Sequence, residues 1–232
     1  MDARHWVFAL LLHPILLQAQ VMDTPIMANA LVDRLEYQSQ EGADVLLWDA
    51  EGWVGGDYHK LWFKSEGDMA RGHTEEAEIQ ALYARAIAPF WNLQMGVRHD
   101  IQPSPSRTFA VLGIEGLAPL WFEVDAASFV STDGDVSFRL EAEYDLLLTQ
   151  RLILQPRIET NLAIQDAHKW GIGEGMNDID LGLRLRYEIR REFAPYIGVS
   201  WQRKIGETAT LARDEGENLD AVSFVTGLRL WF

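Results

Sequence analysis

The stretch of sequence that decides the fold runs from Ile179 to Ile189 and reads IDLGLRLRYEI. Its odd-numbered positions are Ile, Leu, Leu, Leu, Tyr and Ile, whereas its even-numbered positions are Asp, Gly, Arg, Arg and Glu. Because side chains of a β-strand point alternately to two sides, one side here meets an apolar medium and the other meets water. A tilted strand needs about 9–11 residues to cross a bilayer, while strands of soluble domains average about 5–6. The stretch therefore predicts a membrane-spanning strand.

The same alternation recurs along most of the chain, most clearly in 136–146, 152–164 and 222–232. It predicts twelve strands. Their approximate spans are 30–39, 44–54, 57–67, 76–88, 90–101, 107–118, 119–131, 135–148, 150–165, 176–191, 193–205 and 218–232. An even number of strands places both chain ends at one rim, where the last strand closes onto the first. The predicted fold is all-β: a transmembrane antiparallel up-and-down β-barrel of about 12 strands with both termini periplasmic.

Proline-containing turns mark one rim of the predicted barrel. Ala88-Pro89-Phe90-Trp91 and Ala118-Pro119-Leu120-Trp121 share a pattern, which Ala194-Pro195-Tyr196 repeats in part. The opposite rim is predicted to carry longer connections rich in Gly, Asp, Glu and Ser. These are residues 65–76, 102–107, 131–135, 166–177 and 206–218. Such loops are typically extracellular, which places the proline turns in the periplasm.

The composition fits this class of protein. The chain has no Cys, which excludes disulfides and thiolate metal sites. No window of about eighteen residues is apolar throughout, so a transmembrane helix is not predicted. The nine Trp residues suit aromatic belts at the two membrane interfaces, with Trp91, Trp121 and Tyr196 beside the predicted turns.

The formal net charge of −15 argues against nucleic acid as a partner. It suits a cation, because acidic loops and an acidic lumen raise the local cation concentration. A solvated acidic surface without a ligand is the alternative interpretation.

The N-terminus resembles a secretory signal. Arg4 and His5 precede an apolar run, and Leu17-Gln18-Ala19 resembles a cleavage site with a small residue. We predict a signal peptide at 1–19, a short periplasmic arm at 20–29 and an outer-membrane β-barrel at 30–232.

Four segments resemble, in order, parts of the copper resistance protein B family of outer-membrane proteins. They are Leu31–Tyr37, Trp48–Tyr58, Lys60–Gly67 and Gln80–Pro89, which read LVDRLEY, WDAEGWVGGDY, KLWFKSEG and QALYARAIAP. The resemblance extends from about Met22 to Phe232. It implies a barrel in the bacterial cell outer membrane that acts in copper tolerance, with copper as the bound ion and a periplasmic multicopper oxidase as functional neighbour.

The chain departs from this family in one respect. Family members commonly carry a long Met- and His-rich segment ahead of the barrel, whereas here only Met22, Asp23 and Met27 stand in its place. Thioethers suit Cu(I), imidazole suits both oxidation states, and carboxylates serve Cu(II) weakly. We predict that Met22 and Met27 favour Cu(I), with His59 or a carboxylate at the periplasmic rim as third ligand.

Candidate copper ligands are few. The set is Met22, Met27, Asp49, Glu51, His59, Met69, His73, His168 and Met176. Met69 and His73 fall in one predicted external loop, and His168 and Met176 in another. A lone loop His is more often solvated than ligating. Lumen carboxylates, including Asp49, Glu51 and the ladder Glu141, Glu143 and Asp145, also have Arg partners available, so structural ion pairing is the alternative for them.

An enzyme is not expected. A barrel hydrolase needs a Ser or Asp beside a His near the rim, and the one adjacent pair is His99-Asp100. Neighbours along a strand point to opposite faces, which is the wrong geometry for a dyad. The sequence thus favours a barrel, surrounded by outer-membrane lipids, that binds or handles copper. A small general porin or a structural barrel without a metal site is the alternative.

Overall fold

A computed structural model describes residues 25–232, and in it each crossing of the barrel pairs antiparallel with the crossings before and after it. The strands are β1 Met27–Gln40, β2 Val45–Gly55, β3 His59–Ala70, β4 His73–Ala88, β5 Trp91–Gln102, β6 Arg107–Ala118, β7 Phe122–Ser131, β8 Val136–Tyr144, β9 Leu146–Leu147, β10 Leu152–Ala163, β11 Gly175–Tyr187, β12 Phe193–Lys204 and β13 Asp220–Trp231. β8 and β9 are two pieces of one crossing, since both pair with β10. β13 pairs with β1, so the sheet closes. The prediction of a closed antiparallel twelve-stranded barrel is confirmed.

Three short helical elements lie between the strands. They are the 3₁₀ helices Pro119–Trp121 and His168–Trp170 and the helix α1, Gly206–Asp214. The sequence analysis treated 206–218 as a loop and did not predict α1. Among residues 25–232, no helix combines the length and the apolar character that spanning a bilayer requires.

The alternation of faces is confirmed in β11. Leu181 and Leu183 are about 40% exposed on the outer surface, whereas Arg184 and Arg186 are buried in the interior. In β4, Leu82 faces inward and is buried while its neighbour Tyr83 is exposed. The outer surface is apolar, and most of the side chains that face the lumen are polar, as the pattern of period two requires.

The connections form two rims. We call one the turn rim; it holds both ends of the described chain and residues 56–58, 89–90, 119–121, 148–151 and 188–192. We call the other the loop rim; it holds residues 41–44, 71–72, 103–106, 132–135, 164–174 and 205–219. The backbone amide of Phe232 donates to the carbonyl of Ala30 over 2.8 Å, which joins the two ends at the turn rim.

One predicted long loop is wrong. Residues 65–76 are largely strand, because β3 and β4 continue to a two-residue turn at Arg71 and Gly72. The φ angles there are 53° and 79°, the left-handed values that join two strands tightly. These strand ends could not be predicted from alternation, because Ser65 to Asp68 are polar or Gly on both faces of the strand. The backbone pairing of β3 with β4 nevertheless continues there.

The third proline motif was also misplaced. Pro195 lies within β12 opposite Leu228, and the turn precedes it at 188–192. Tyr196 was predicted beside a turn in an aromatic belt, but it is buried in the lumen on the same face as Ser200.

Candidate functional site

The middle of the lumen is crossed by a chain of ion pairs. Arg34 Nη2 lies 2.9 Å from Asp49 Oδ2 and 3.1 Å from Glu66 Oε1. Arg139, on the far strand β8, reaches Glu66 Oε2 at 2.9 Å and Glu78 Oε2 at 3.1 Å. Because these residues come from β1, β2, β3, β4 and β8, the chain of charges spans the interior. We call it the plug.

The predicted carboxylate ladder on β8 is paired with arginines. Arg157 Nε lies 2.7 Å from Glu141 Oε1 and 3.1 Å from Glu143 Oε1. Arg186 Nη2 lies 2.6 Å from Asp145 Oδ2. The alternative of structural ion pairing therefore describes this part of the lumen.

A buried cluster links the first strand to the last ones. Glu36 is fully buried and accepts hydrogen bonds from Arg184 Nη2 at 3.2 Å, Gln38 Nε2 at 3.0 Å and the Tyr196 hydroxyl at 3.0 Å. Arg184 and Tyr196 stand on β11 and β12, so this cluster braces the closure of β13 on β1 from inside.

The opposite wall of the lumen is apolar. Its buried residues are Trp62, Leu82, Ala84, Phe109, Val111 and Phe129. The Arg98 guanidinium carbon lies 4.8 Å from the ring centre of Phe129 and 5.3 Å from that of Phe109. These cation–π contacts keep a charge against the apolar wall.

A cavity of about 530 Å³ lies between the plug and the turn rim. Glu66 and Arg139 of the plug line one end, and Asp57 and Trp91 line the end near the turns. Eleven of its lining residues are Asp or Glu and four are Lys or Arg. The cavity is therefore strongly acidic, and low-dielectric walls strengthen its attraction for cations.

A lysine occupies the acidic wall of this cavity. Lys64 Nζ lies 2.7 Å from Asp125 Oδ2, 3.3 Å from Glu115 Oε2 and 3.9 Å from Glu51 Oε2. Asp57 and Glu123 also line the cavity, and neither makes an ion pair with another described residue. Uncompensated carboxylates thus remain available to a mobile cation.

The structure places the predicted lumen ligands in this cavity. Asp49 and Glu51 both line it. Asp49 is held by Arg34, whereas Glu51 has only the long contact with Lys64. Of the two, Glu51 is the less engaged by basic groups.

The predicted ligands at the periplasmic end are divided between surfaces. Met27 is the first residue of β1 and pairs with Gly55 at the turn rim. His59 shares the outward face of β3 with Leu61 and stacks on Tyr83, with ring centres 5.9 Å apart. His59 is therefore directed away from the cavity. Met22 and the predicted signal peptide lie outside the described residues.

The remaining predicted ligands lie near the loop rim. Met69 and His73 stand in β3 and β4 on either side of the turn at Arg71, and Met176 stands in β11. Among the described residues, His168 is the one predicted ligand that belongs to a group of three side chains spaced closely enough to hold a metal ion. The other two are Asp166 and Glu207, whose ligand atoms lie within 4.8 Å of one another and of that of His168. Neither had been selected from the sequence, because Glu207 belongs to a different connection and no local spacing links the two.

Comparisons with known proteins agree with this architecture. A family model described as copper resistance protein B precursor matches residues 26–232. The chain is 48% identical over 212 residues to copper resistance protein B of Escherichia coli, covering 91% of this chain and 72% of the relative. It is 44% identical over 213 residues to a copper resistance protein B homolog of Pseudomonas syringae pv. tomato, covering 92% and 72%.

Solved porins share the fold. The NanC porin superposes with a TM-score of 0.58 at 12% identity, over 88% of this chain and 99% of the porin. The KdgM porin gives 0.51 at 11% identity, over 89% and 99%. At such identities, the likeness concerns the fold alone.

Proposed function

The chain belongs to the copper resistance protein B family, and from this premise we propose that it is an outer-membrane barrel that takes copper ions into its acidic cavity and contributes to copper tolerance. The observation that carries the proposal is the cavity, with its eleven carboxylates, four basic residues and unpaired Asp57 and Glu123. Such a surplus of negative charge concentrates cations before any ligand binds them.

The proposed location is the bacterial outer membrane. The apolar outer surface of the barrel would contact its lipids, and the precursor description of the family supports removal of a signal peptide at 1–19. Short turns of such barrels face the periplasm and longer connections face outward, so both chain ends and the mouth of the cavity would be periplasmic. A periplasmic multicopper oxidase would then meet the protein at the turn rim.

The chemistry of the cavity favours the oxidised ion. Its donors are carboxylate oxygens, which suit Cu(II) better than Cu(I). The thioether of Met27 at the turn rim would add a soft ligand for Cu(I) at the same end of the barrel. Copper is bound here as cargo and not as a resident cofactor. Because the cavity carboxylates and Met27 do not enclose the ion on all sides, bound copper can be released readily.

A binding role is proposed in preference to catalysis. His99 and Asp100 are neighbours on β5, and Asp100 is buried in the lumen with Arg98, while His99 contacts Thr108 on the other face. These contacts support the expectation that the two side chains do not act together.

A structural barrel or small general porin is the alternative, and the plug favours it in one respect. Ion pairs across the middle of the lumen leave little room for bulky solutes. They leave the acidic cavity between the plug and the turn rim in place.

The test is copper tolerance in cells that lack the native gene. A cavity variant, Glu51→Gln with Asp57→Asn and Glu123→Gln, removes three lining charges that bear little of the ion-pair network. A rim control, Glu41→Gln with Asp133→Asn and Asp214→Asn, removes three exposed charges from the loop rim. We expect the cavity variant to lose most of the tolerance that the wild type restores, and the rim control to retain it. Equal tolerance of the two variants at equal membrane levels would refute the proposal.

A further inference from the structure

We propose that Asp166, His168 and Glu207 form a separate site for a divalent transition-metal ion at the loop rim, with Cu(II) preferred. One nitrogen and two carboxylate oxygens converge there, all within 4.8 Å of one another. The site lies at the opposite end of the barrel from the acidic cavity and shares no residue with it. It therefore goes beyond the function proposed above.

The three ligands come from two connections that the structure fastens together. Asp166 and His168 belong to residues 164–174, and Glu207 belongs to the first turn of α1. Asn177, which is buried, donates from Nδ2 to the Gly173 carbonyl at 2.6 Å and to Thr208 Oγ1 at 2.7 Å. The Gly173 amide donates to the same hydroxyl at 2.9 Å. The connection and the helix are thus joined next to the ligands.

A close approach of backbone to helix holds Glu207 in place. A Cβ atom at Gly173 would lie 2.5 Å from the Glu207 Cβ and 2.7 Å from the Thr208 amide nitrogen. Only glycine allows this approach. Since α1 packs directly on the connection, the backbone of Glu207 is held beside Asp166 and His168.

Further contacts position Asp166 and the short helix that carries His168. Asp166 Oδ1 accepts a hydrogen bond from the Glu174 amide at 2.6 Å, while Oδ2 lies 3.6 Å from His168 Nε2. His168 begins a 3₁₀ helix whose Trp170 donates to the Pro105 carbonyl at 3.2 Å and receives the Arg107 guanidinium at 4.4 Å from its ring centre. The hydrogen bond on Asp166 fixes that ligand directly, as outer contacts do in known metal sites, whereas the Trp170 contacts place the backbone that carries His168.

The charge of the cluster is not balanced by basic residues. Within the described chain, neither Asp166 nor Glu207 lies within 4.0 Å of a Lys or Arg nitrogen. The carboxylate groups of the plug, in contrast, each have an arginine. Asp166 and Glu207 therefore keep their negative charges beside the His168 imidazole, and a bound cation would compensate those charges.

The ligand types decide which ion fits. Imidazole nitrogen favours Cu, Zn and Ni over Mg and Ca, and the order of affinity among divalent ions peaks at Cu(II). The absence of sulfur among the three ligands disfavours Cu(I). The site is open to solvent, so water would complete the coordination and exchange would be fast.

The test uses the refolded cavity variant, so that the cavity does not contribute. Cu(II) is titrated by electron paramagnetic resonance and by competition with a chelator. We expect one equivalent of bound Cu(II) with the signature of a single imidazole nitrogen, displaced by excess Zn(II). His168→Ala and Glu207→Gln should each weaken binding at least tenfold, and His168→Ala should remove the nitrogen signature. Asp214→Asn, which removes an equal charge from the same helix outside the cluster, should change neither.

Two results would overturn the site. The first is that the cavity variant binds no stoichiometric Cu(II). The second is that adding His168→Ala to the cavity variant changes neither the Cu(II) affinity nor the spectrum. Heat-modifiable migration on gels checks that each variant forms a barrel. Neither result bears on the tolerance assay, which depends on the cavity, so the two proposals fail independently.

Discussion

The ammonium nitrogen of Lys64 lies 2.7 Å from a carboxylate oxygen of Asp125, although the two residues stand on β3 and β7. Glu115 and Glu51 approach the same nitrogen at 3.3 and 3.9 Å. The Lys64 ammonium group therefore lies between three carboxylates and supplies the positive charge there. The positive charge at this wall of the cavity thus comes from a side chain of the protein itself.

Lys64→Met should convert this position into a cation site. Removal of the ammonium group leaves three carboxylates facing one another, and their mutual repulsion is relieved by a divalent ion. We expect Cu(II) to bind the refolded variant at least tenfold more tightly than the wild type, as measured by calorimetry at low ionic strength. Lys204→Met, which removes an exposed ion pair with Glu217 at the loop rim, serves as the control. Unchanged affinity in Lys64→Met would show that the three carboxylates do not act as a site.

The methionine pair should contribute to Cu(I) binding alone. Met22→Leu with Met27→Leu removes the two predicted thioether ligands, of which Met27 lies at the turn rim. We expect Cu(I) affinity to fall at least threefold while Cu(II) affinity is unchanged. Met95→Leu is the matched control, because Met95 lies on the apolar outer face. Titration of each ion with a competing chelator measures both. A fall in Cu(II) affinity, or the same fall in Met95→Leu, would contradict a specific role of the pair.

The lipid face can be tested on β11. Leu183→Arg places a charge on the outer surface, at a cost of about 2–4 kcal/mol near the bilayer midplane. Arg186→Leu instead leaves Asp145 in the aqueous lumen, where the Asp145 carboxylate is partly exposed. We expect Leu183→Arg to reduce the yield of heat-modifiable barrel more than Arg186→Leu. Equal yields would mean that the two faces have been assigned incorrectly.

Substitutions of the buried residues Glu36 and Arg184 should have non-additive effects on the free energy of unfolding. Glu36→Leu leaves the Arg184 guanidinium buried without its carboxylate, and we expect a loss of about 3–5 kcal/mol in the free energy of unfolding. Glu36→Leu with Arg184→Leu should recover most of that loss, since neither charge remains. Chemical denaturation in detergent measures the cycle. Additive losses in the double variant would show that the two residues do not stabilise each other.

The sequence predicted the parts of the fold that follow from alternation. The faces of β11 and the number of strands could be derived because lipid and water impose opposite demands on neighbouring residues. The boundaries fell within four residues of those observed. Alternation carries no information where residues on both faces are polar. For this reason the strand ends around Arg71 and the helix α1 were predicted as loops.

The candidate sites were less accessible to prediction. The inward direction of Asp49 and Glu51 followed from strand phase, but their partners did not, because Lys64 meets Asp125 only when β3 and β7 face each other across the closed barrel. Glu207 joins His168 for a similar reason: the two lie in separate connections that pack together only in three dimensions. Spacing along the chain carries no information about such contacts.

Equilibrium dialysis of Cu(II) against the refolded protein measures whether the acidic cavity holds copper. His168→Ala is present in every sample, so that the loop rim does not contribute. We expect the background protein to retain bound Cu(II), the rim control to retain the same amount, and the cavity variant to lose at least nine-tenths of the affinity. Equal Cu(II) retention by the cavity variant and the rim control would contradict copper binding in the cavity.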